Sequence, residues 1–355
     1  MNIGERIKEL RIRKGFSQEE LATRANFSKS YIQKFEEGKR EIKSSQLVQL
    51  SDALQVDVID LIMNTSYSSD EFSLRNIEFR ESEKIAINPK EFEEKILGKF
   101  LHRNYNAYKK IEKYTGEEIK FKNPLMKEDA IESNDQIEKI AELLRKKWNF
   151  GTTPIYDLIG FLEEIGVKIF EISEHESFSG FSCWEKNTPI IVINVQNTDL
   201  PRRRFTTLHE LAHLILKFKE GESHDKIEKY CNHFAGAMLL PKEVLEKYVK
   251  SNESISLEEL KHIKSIYGIS IYAILVRLVN INIVGWEKFN EWKEQYQYWN
   301  DKSVSFIGQE RTSRFDYLLA KGLRENLFSK SVASELSGIP ISKLKDEWEA
   351  KKFVF

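Results

Sequence analysis

The sequence predicts an α+β protein, in which an all-helical N-terminal domain precedes a domain with a small sheet and a helical region follows. Residues 1–66 carry apolar side chains at the spacing of short packed helices. Farther along, Val167–Ile172 alternates as a strand does, Ile190–Val195 is mostly apolar, and helical patterns flank both segments. Because the strand patterns are confined to this middle part, we expect the sheet to belong to one domain.

The composition indicates a globular protein, with 41% hydrophobic and 31% charged residues in a chain of 355. The formal net charge of −1 excludes a molecule that is basic throughout, so nucleic-acid binding would need a local surface. No apolar run is long enough to span a bilayer, and the polar start does not resemble a signal peptide. Two cysteines far apart give no disulfide framework. We therefore expect a cytoplasmic protein without membrane contact.

Short helices follow one another through residues 1–66. Ser17 and Glu20 form a capping box at the start of the second helix. Ser28 caps the third helix, and Gly38 ends it in the manner of a glycine one residue past a helix C-terminus. Two short helices joined by a tight turn have the geometry of a helix-turn-helix.

A set of motifs runs through this segment: Arg11, Ser17–Ala22, Ser28, Ser30–Ile32, Phe35, Glu36 and Gly38–Arg40. These motifs resemble the XRE (Cro/repressor-like) helix-turn-helix family over nearly the whole segment, which implies binding to double-stranded DNA. By this match, the side chains that face base edges in the major groove are Ser28, Lys29, Ser30 and Gln33. Those that mostly hold phosphates are Gln18, Tyr31, Lys34, Lys39 and Arg40.

The alternative for residues 1–66 is a small protein-interaction module with a charged, solvated face. Acidic and basic residues nearly balance in this segment, so its nonspecific attraction to DNA is modest. A single helix-turn-helix usually needs a partner half-site, so we expect a homodimer or cooperative binding.

Residues 67–134 carry no recognisable chemistry and are interpreted as a helical linker. Within it, Pro89–Thr115 predicts a long charged helix, which either bridges through solvent or pairs with a second subunit. Residues 135–285 contain the two strands described above and a third strand around Phe178–Trp184. An exposed edge of this sheet could bind an extended peptide or be covered by the protein's own loops. Residues 286–355 complete the chain as a C-terminal helical region.

His209, Glu210 and His213 form the motif HExxH on a predicted apolar helix. Side chains four residues apart lie on the same helix face, so the two histidines can present ring nitrogens to one ion. Glu210 lies about 100° around the helix, beside such an ion. Two neutral nitrogen ligands, an open water position and a nearby carboxylate are what a zinc hydrolase needs. The bare motif also occurs by chance on amphipathic helices.

A third metal ligand has to come from another segment. A metzincin would need histidine at position 219, and Lys219 excludes that class. Glu228 begins the apolar stretch of a second helix and could reach back to the ion. His224, in a predicted loop, and His233, off the Glu228 face of the helix, are the rival candidates.

The second helix carries a longer motif: Glu228, Cys231, Asn232, Phe234, Ala235 and Met238–Pro241. With HExxH before it, this motif resembles the ImmA/IrrE family of metallopeptidases. Cys231, Met238 and Leu240 depart from the family pattern, each by a small or apolar substitution. The resemblance implies a zincin-like domain at 135–285, with Glu228 as the third ligand of a glutamate-zincin.

The same resemblance implies a cofactor and an activity. One Zn²⁺ per chain would be bound by His209, His213 and Glu228, with Mn²⁺ as the alternative ion, and Glu210 would be the catalytic base. The enzyme would be an endopeptidase that cleaves a helix-turn-helix repressor, or itself, in a stress or mobile-element response. The alternative is a non-proteolytic DNA-binding regulator or antitoxin-like protein, which uses the zinc fold as a sensor or scaffold. The presence of Glu210 favours the endopeptidase.

Overall fold

The computed structural model describes residues 3–40, 42, 44–54, 75–78, 100–173, 179–196, 198–249, 255–296 and 304–344. The chain is α+β, as predicted, and divides into two compact units, Met1–Glu71 and Phe72–Phe355. The sequence also predicts a fifth helix over residues 58–63, which lie outside the described residues. The domain boundaries after residues 66, 134 and 285 stay predictions.

The described part of the first unit consists of helices. They are α1 (Ile3–Arg13), α2 (Gln18–Arg24), α3 (Lys29–Glu36) and α4 (Ser44–Leu54). The capping box of Ser17 and Glu20 is present at α2, and Ser28 caps α3 by accepting a hydrogen bond from the Tyr31 amide. Their shared core consists mainly of Ile7, Leu10, Leu21, Ile32, Phe35, Leu47, Leu50 and Leu54.

A buried ion pair joins the helices of the first unit. Arg11 donates from Nε to Glu36 Oε1 at 2.6 Å and from Nη2 to Glu36 Oε2 at 2.9 Å. Gln18 Nε2 donates to the same carboxylate at 2.8 Å. Because bidentate arginine–carboxylate bonds are strongly directional, Glu36 fixes α1, α2 and α3 relative to one another.

The second unit is built around a four-stranded sheet with the order β1-β3-β4-β2. The strands are β1 (Arg75–Glu78), β2 (Lys168–Ile172), β3 (Gly180–Glu185) and β4 (Thr188–Asn194). β2 runs parallel to β4, whereas β3 is antiparallel to both β4 and β1. The three predicted strands are therefore present. β1 was not expected, since the sequence assigns its residues to the helical linker.

Helices cover both faces of this sheet. Between β1 and β2 in the chain lie α5 (His102–Thr115), α6 (Asn134–Lys147) and α7 (Leu158–Glu164). After β4 come α8 (Leu200–Ile215), α9 (His224–Leu239), α10 (Lys242–Tyr248), α11 (Leu257–Tyr267) and α12 (Ile271–Asn280). The C-terminal region contributes α13 (Trp286–Tyr296), α14 (Arg314–Arg324) and α15 (Lys330–Ser337).

Alternating side chains of the strands divide the core of the second unit in two. Ile169, Ile191 and Ile193 pack into a large cluster with α6, α8, α9, α11 and α12. Phe170 and Val192 point to the opposite face, where a smaller cluster includes α5, α14 and α15. The sheet is thus a middle layer between two helical layers, and the HExxH helix α8 belongs to the larger one.

Helix α5 differs from the solvated or intersubunit helix predicted for Pro89–Thr115. Its described part buries Tyr105, Tyr108 and Ile111 against the sheet. Glu112 on the same helix forms a buried ion pair with Lys168 of β2, at 2.5 Å. The predicted linker therefore supplies part of the outer helical layer.

The C-terminal region is tied to the HExxH helix by a buried ion pair between Arg204 and Glu310. Arg204 also donates to the carbonyl oxygens of Gly268, at 3.1 Å, and Ile155, at 2.7 Å. Glu310 accepts from the amides of Leu158 and Ile159, at 3.1 and 2.9 Å. One carboxylate thereby holds the first turn of α7 against the first half of α8.

We expect Glu310→Ala to destabilise the protein by about 3–5 kcal/mol, because it leaves the Arg204 guanidinium buried without its carboxylate. Urea unfolding monitored by circular dichroism measures the change. Glu243→Ala removes an exposed ion pair with Lys247 and should hardly move the midpoint. Equal midpoints for the two variants would show that the buried pair does not stabilise the fold.

No single described helix is long and apolar enough to cross a membrane. Helices α11 and α12 meet the length and composition test only as a pair, across a bend of 98°. The apolar side chains of this pair lie in the large core cluster.

Candidate metal centre and DNA-contact surface

The residues at the start of helix α8 favour a helix N-terminus. Asp199 caps it by accepting a hydrogen bond from the Arg202 amide at 3.0 Å, and Pro201 lies in the first turn, where its missing N–H costs nothing. Thr206–Leu211 is buried throughout, so this part of the helix lies inside the fold. A buried helix places its polar side chains rigidly.

His209, His213 and Glu228 converge on one point. The Nε2 atoms of the two histidines are 3.1 Å apart. Glu228 places Oε2 at 3.3 Å from His209 Nε2 and Oε1 at 3.1 Å from His213 Nε2. Among the described residues, these three form a group of the kind that holds a metal ion.

The spacing of the three groups fits a tetrahedral zinc site. Atoms about 2.0–2.1 Å from such an ion lie roughly 3.3 Å from each other. The separations of 3.1–3.3 Å agree with this value. His209 is fully buried, whereas His213 and Glu228 are partly exposed. Their assignment as ligands stays a prediction.

Asn232 orients the first histidine. Its Oδ1 lies 2.9 Å from His209 Nδ1, so Nδ1–H donates and Nε2 keeps its lone pair for an ion. Asn232 is four residues after Glu228 on α9, and both therefore face α8. The sequence motif includes Asn232, but this role depends on the packing of α9 against α8 and was not predicted.

The two histidines also act on the Glu228 carboxyl. Burial opposes its ionisation, but the facing rings of His209 and His213 outweigh that effect and hold the pKa of Glu228 well below its usual range. Glu228 is therefore a carboxylate at neutral pH, the form that a zinc ligand requires.

Glu210 is buried on the β3 side of α8. Ser182 of β3 donates from Oγ to Glu210 Oε2 at 2.9 Å. Gly180 makes this close approach possible, since a Cβ there would lie 2.9 Å from Thr206 Cγ2. Sequence reasoning missed Ser182, because 28 residues separate it from Glu210.

His233 belongs to a different buried network. Its Nε2 contacts Glu138 of α6, and Arg277 Nη2 donates to the same carboxylate at 2.6 Å. Burial would raise the pKa of Glu138, but the bonds to His233 and Arg277 lower it to about 2. These partners engage His233 away from the converging group.

His224 is the first residue of helix α9 rather than part of a loop, because Ser223 precedes it as the N-cap residue. Its Nε2 is buried without a hydrogen-bond partner among the described residues. It still lies outside the group formed by His209, His213 and Glu228.

The predicted DNA contacts cluster on and around α3. The exposed ones are Ser28, Lys29, Ser30, Gln33, Lys34, Lys39 and Arg40. Tyr31 is half-buried, with the Arg40 guanidinium 3.8 Å above its ring centre. Gln18 is half-buried as well, and its amide nitrogen is bonded to Glu36.

Acidic neighbours already engage several of these side chains. Lys29 Nζ lies 3.0 Å from Glu19, and Lys39 Nζ lies 2.8 Å from Glu37. Gln33 donates to Glu37 at 2.9 Å. DNA contacts would have to exchange these exposed bonds for bonds to phosphates and bases.

Two family models match the chain. Residues 7–61 match a model described as helix-turn-helix, and residues 162–279 match a peptidase-family model described as the IrrE N-terminal-like domain. Both resemblances inferred from the sequence motifs are thereby confirmed. The second match includes the strands β2–β4, the HExxH helix and Glu228.

Solved structures similar to part of the chain include the restriction-modification controller protein C.AhdI from Aeromonas hydrophila. It is 35% identical, with a TM-score of 0.17, and the match covers 17% of this chain and 91% of that one. The clp gene regulator ClgR from C. glutamicum is 30% identical, with a TM-score of 0.16, covering 17% and 77%. A search of curated proteins found no match.

Proposed function

Because the chain joins an XRE-type helix-turn-helix domain to an ImmA/IrrE-like domain of a peptidase family, we propose that it is a DNA-binding regulator with zinc endopeptidase activity. The observation that carries the proposal is a group of two histidines and a glutamate with zinc-ligand spacing, in which a buried carboxylate, Glu210, directly follows the first histidine on α8. A sensor or scaffold would need the three ligands but has no use for the adjacent carboxylate.

The residues divide the chemistry among them. His209, His213 and Glu228 would hold Zn²⁺, or Mn²⁺ as the alternative ion. When bound, the ion would lower the pKa of a water molecule towards neutrality and polarise a peptide carbonyl. Glu210 takes the proton from the attacking water and returns it to the leaving amine. Ser182 keeps Glu210 in place by donating to Oε2.

The substrate that we propose is a helix-turn-helix repressor, or this chain itself, in a stress or mobile-element response. This choice rests on the family resemblance and on the DNA-binding type of domain in the same chain. A homodimer that binds two DNA half-sites would bring the peptidase domain close to a repressor on a neighbouring operator.

The proposal is tested by mass spectrometry of cells that produce either the wild-type chain or Glu210→Gln. We expect a fragment of a helix-turn-helix protein in the first cells only. Identical fragment patterns in both would favour the non-proteolytic regulator with a metal-dependent scaffold. Casein is unsuitable, because an enzyme of narrow specificity would ignore it.

For the DNA-binding surface we expect two variants of the full chain to behave differently. Gln33→Ala should weaken binding to the specific duplex by about 1–3 kcal/mol, because it removes a contact to a base edge. Lys34→Ala should weaken binding to all duplexes and reduce the slope of log K against log salt by about 1, because it removes a phosphate contact.

Fluorescence anisotropy at several salt concentrations measures both effects. Gln49→Ala is the matched control, since Gln49 is exposed on α4, outside the predicted surface. If Gln33→Ala bound like this control on every duplex, the assignment of Gln33 to base contacts would be wrong.

A further inference from the structure

Strand β3 lies directly beside the proposed catalytic carboxylate. Ser182 in its middle donates to Glu210 at 2.9 Å. Gly180 at its start lets β3 approach α8 closely, since a Cβ there would lie 2.9 Å from Thr206 Cγ2. A polypeptide hydrogen-bonded along β3 would therefore pass next to Glu210.

Each edge of β3 is paired with another strand. On one side β4 is antiparallel to it in continuous register from Gly180 to Glu185. On the other side β1 is antiparallel, with Glu78 opposite Ser182 and Arg75 opposite Trp184. The edge next to Ser182 is thus occupied by a segment that begins four positions after Glu71, the last residue of the first unit.

An extended peptide binds to a sheet edge through backbone donors and acceptors, largely independent of its sequence. Strand β1 uses the groups on β3 that such a peptide would need. The pairing of β1 is short, with four residues, and its register is interrupted between Arg75 and Glu78. Short, irregular pairing is typical of a segment that opens locally at low cost.

We propose that β1 (Arg75–Glu78) occupies the edge of β3 at which a polypeptide substrate binds, so that this strand has to leave before a substrate can enter. The inference rests on the proposed endopeptidase function. Beyond that function, it states that β1 and the substrate compete for the same edge of β3. β1 thereby acts as an autoinhibitory strand supplied by the chain itself.

The competition can be measured without peptidase activity. We would use the Glu210→Gln full chain, which cannot consume a peptide, and add Asn76→Pro together with Ile77→Pro to disrupt β1. Proline cannot donate to a ladder and breaks strand pairing. The probe is a fluorescein-labelled synthetic peptide of residues 72–81, and fluorescence anisotropy reports its binding.

We expect the proline variant to bind the peptide at least about ten-fold more tightly than its parent. This factor applies if β1 covers the edge in over nine-tenths of the parent molecules, because only the remaining molecules can bind the peptide. Ser68→Pro with Ser69→Pro, in the same interdomain segment but outside β1, should bind like the parent. A probe with prolines at positions 76 and 77 should bind no variant.

Hydrogen exchange of the β3 amides gives a second readout. In the proline variant these amides should lose protection, and the peptide should restore it. If protection is lost and no peptide binds, β1 is only a structural cover and the proposal is overturned. If protection and binding are unchanged, β1 does not hold this edge, which overturns it as well.

A cross-linked variant tests the proposal if the proline variant fails to fold. Arg75 and Trp184 are opposite each other in the antiparallel pair, so Arg75→Cys with Trp184→Cys can be joined by a disulfide. This variant keeps Glu210, and cleavage of an identified substrate is measured. The cleavage rate of the oxidised form should be at least about ten-fold lower, and a reductant should restore it. The cleavage rate of Trp184→Cys alone should not change on oxidation or reduction.

Unchanged cleavage by the oxidised form would overturn the proposal. Failure of the endopeptidase function is recognised separately, because the peptide-binding arm gives its answer in a variant that lacks Glu210.

Discussion

Glu210→Gln is expected to lower kcat for substrate cleavage by roughly 10²–10⁴-fold, the range for loss of a general base. The amide of glutamine has nearly the same shape and can still accept the hydrogen bond from Ser182, but it cannot take a proton from water. Metal content and thermal unfolding should match those of the wild type, because Glu210 is not among the converging ligands. The measurement is cleavage of the identified repressor, followed by mass spectrometry.

Glu142→Gln is a suitable control, since this exposed carboxyl lies on another helix, α6. It should cleave at the wild-type rate. Equal rates for Glu210→Gln and the wild type would remove Glu210 from the mechanism.

Glu228→Ala is expected to abolish tight zinc binding, leaving at most a small fraction of the one equivalent per chain that we expect in the wild type. Two histidines from one helix cannot complete the site by themselves, because structural and catalytic zinc sites use at least three protein ligands. His213→Ala should have the same effect. Metal analysis after dialysis against a weak chelator gives the stoichiometry.

The rival histidines provide the comparison. His224→Ala should keep its zinc, because His224 lies outside the converging group. His233→Ala should keep zinc as well, but it should destabilise the fold, since it breaks the buried contact with Glu138. If either histidine variant lost the metal while Glu228→Ala retained it, the assignment of the third ligand would be wrong.

Two of the three converging residues, His209 and His213, could be singled out from a local sequence pattern. Their spacing follows from the helical repeat, whereas Glu228 lies inside the next helix and was preferred to His224 and His233 through the resemblance to the ImmA/IrrE family. Ser182 and the ion pair of Arg204 with Glu310 were not accessible. Their partners are 28 and 106 residues away, and only the tertiary fold brings them together.

Two elements were misjudged for different reasons. Strand β1 has four residues without clear alternation, and its pairing with β3 spans a long stretch of chain, so no local pattern indicates it. Helix α5 did carry a usable pattern. Tyr105, Tyr108 and Ile111 recur every three residues along one face, but the surrounding lysines and glutamates obscured it.

The helical layer formed by α5, α14 and α15 also determines when the second unit can finish folding during its synthesis on the ribosome. Phe170 and Val192 of the sheet are covered by α5, made early, and by α14 and α15, made some 200 residues later. Until residues 314–337 have been synthesised, this face of the nascent sheet stays in contact with solvent or chaperones. In the described part of the DNA-binding unit, by contrast, the core cluster is formed by residues 3–54 of that unit. During translation, the DNA-binding unit would therefore be folded well before α14 and α15 cover this face of the sheet in the peptidase unit.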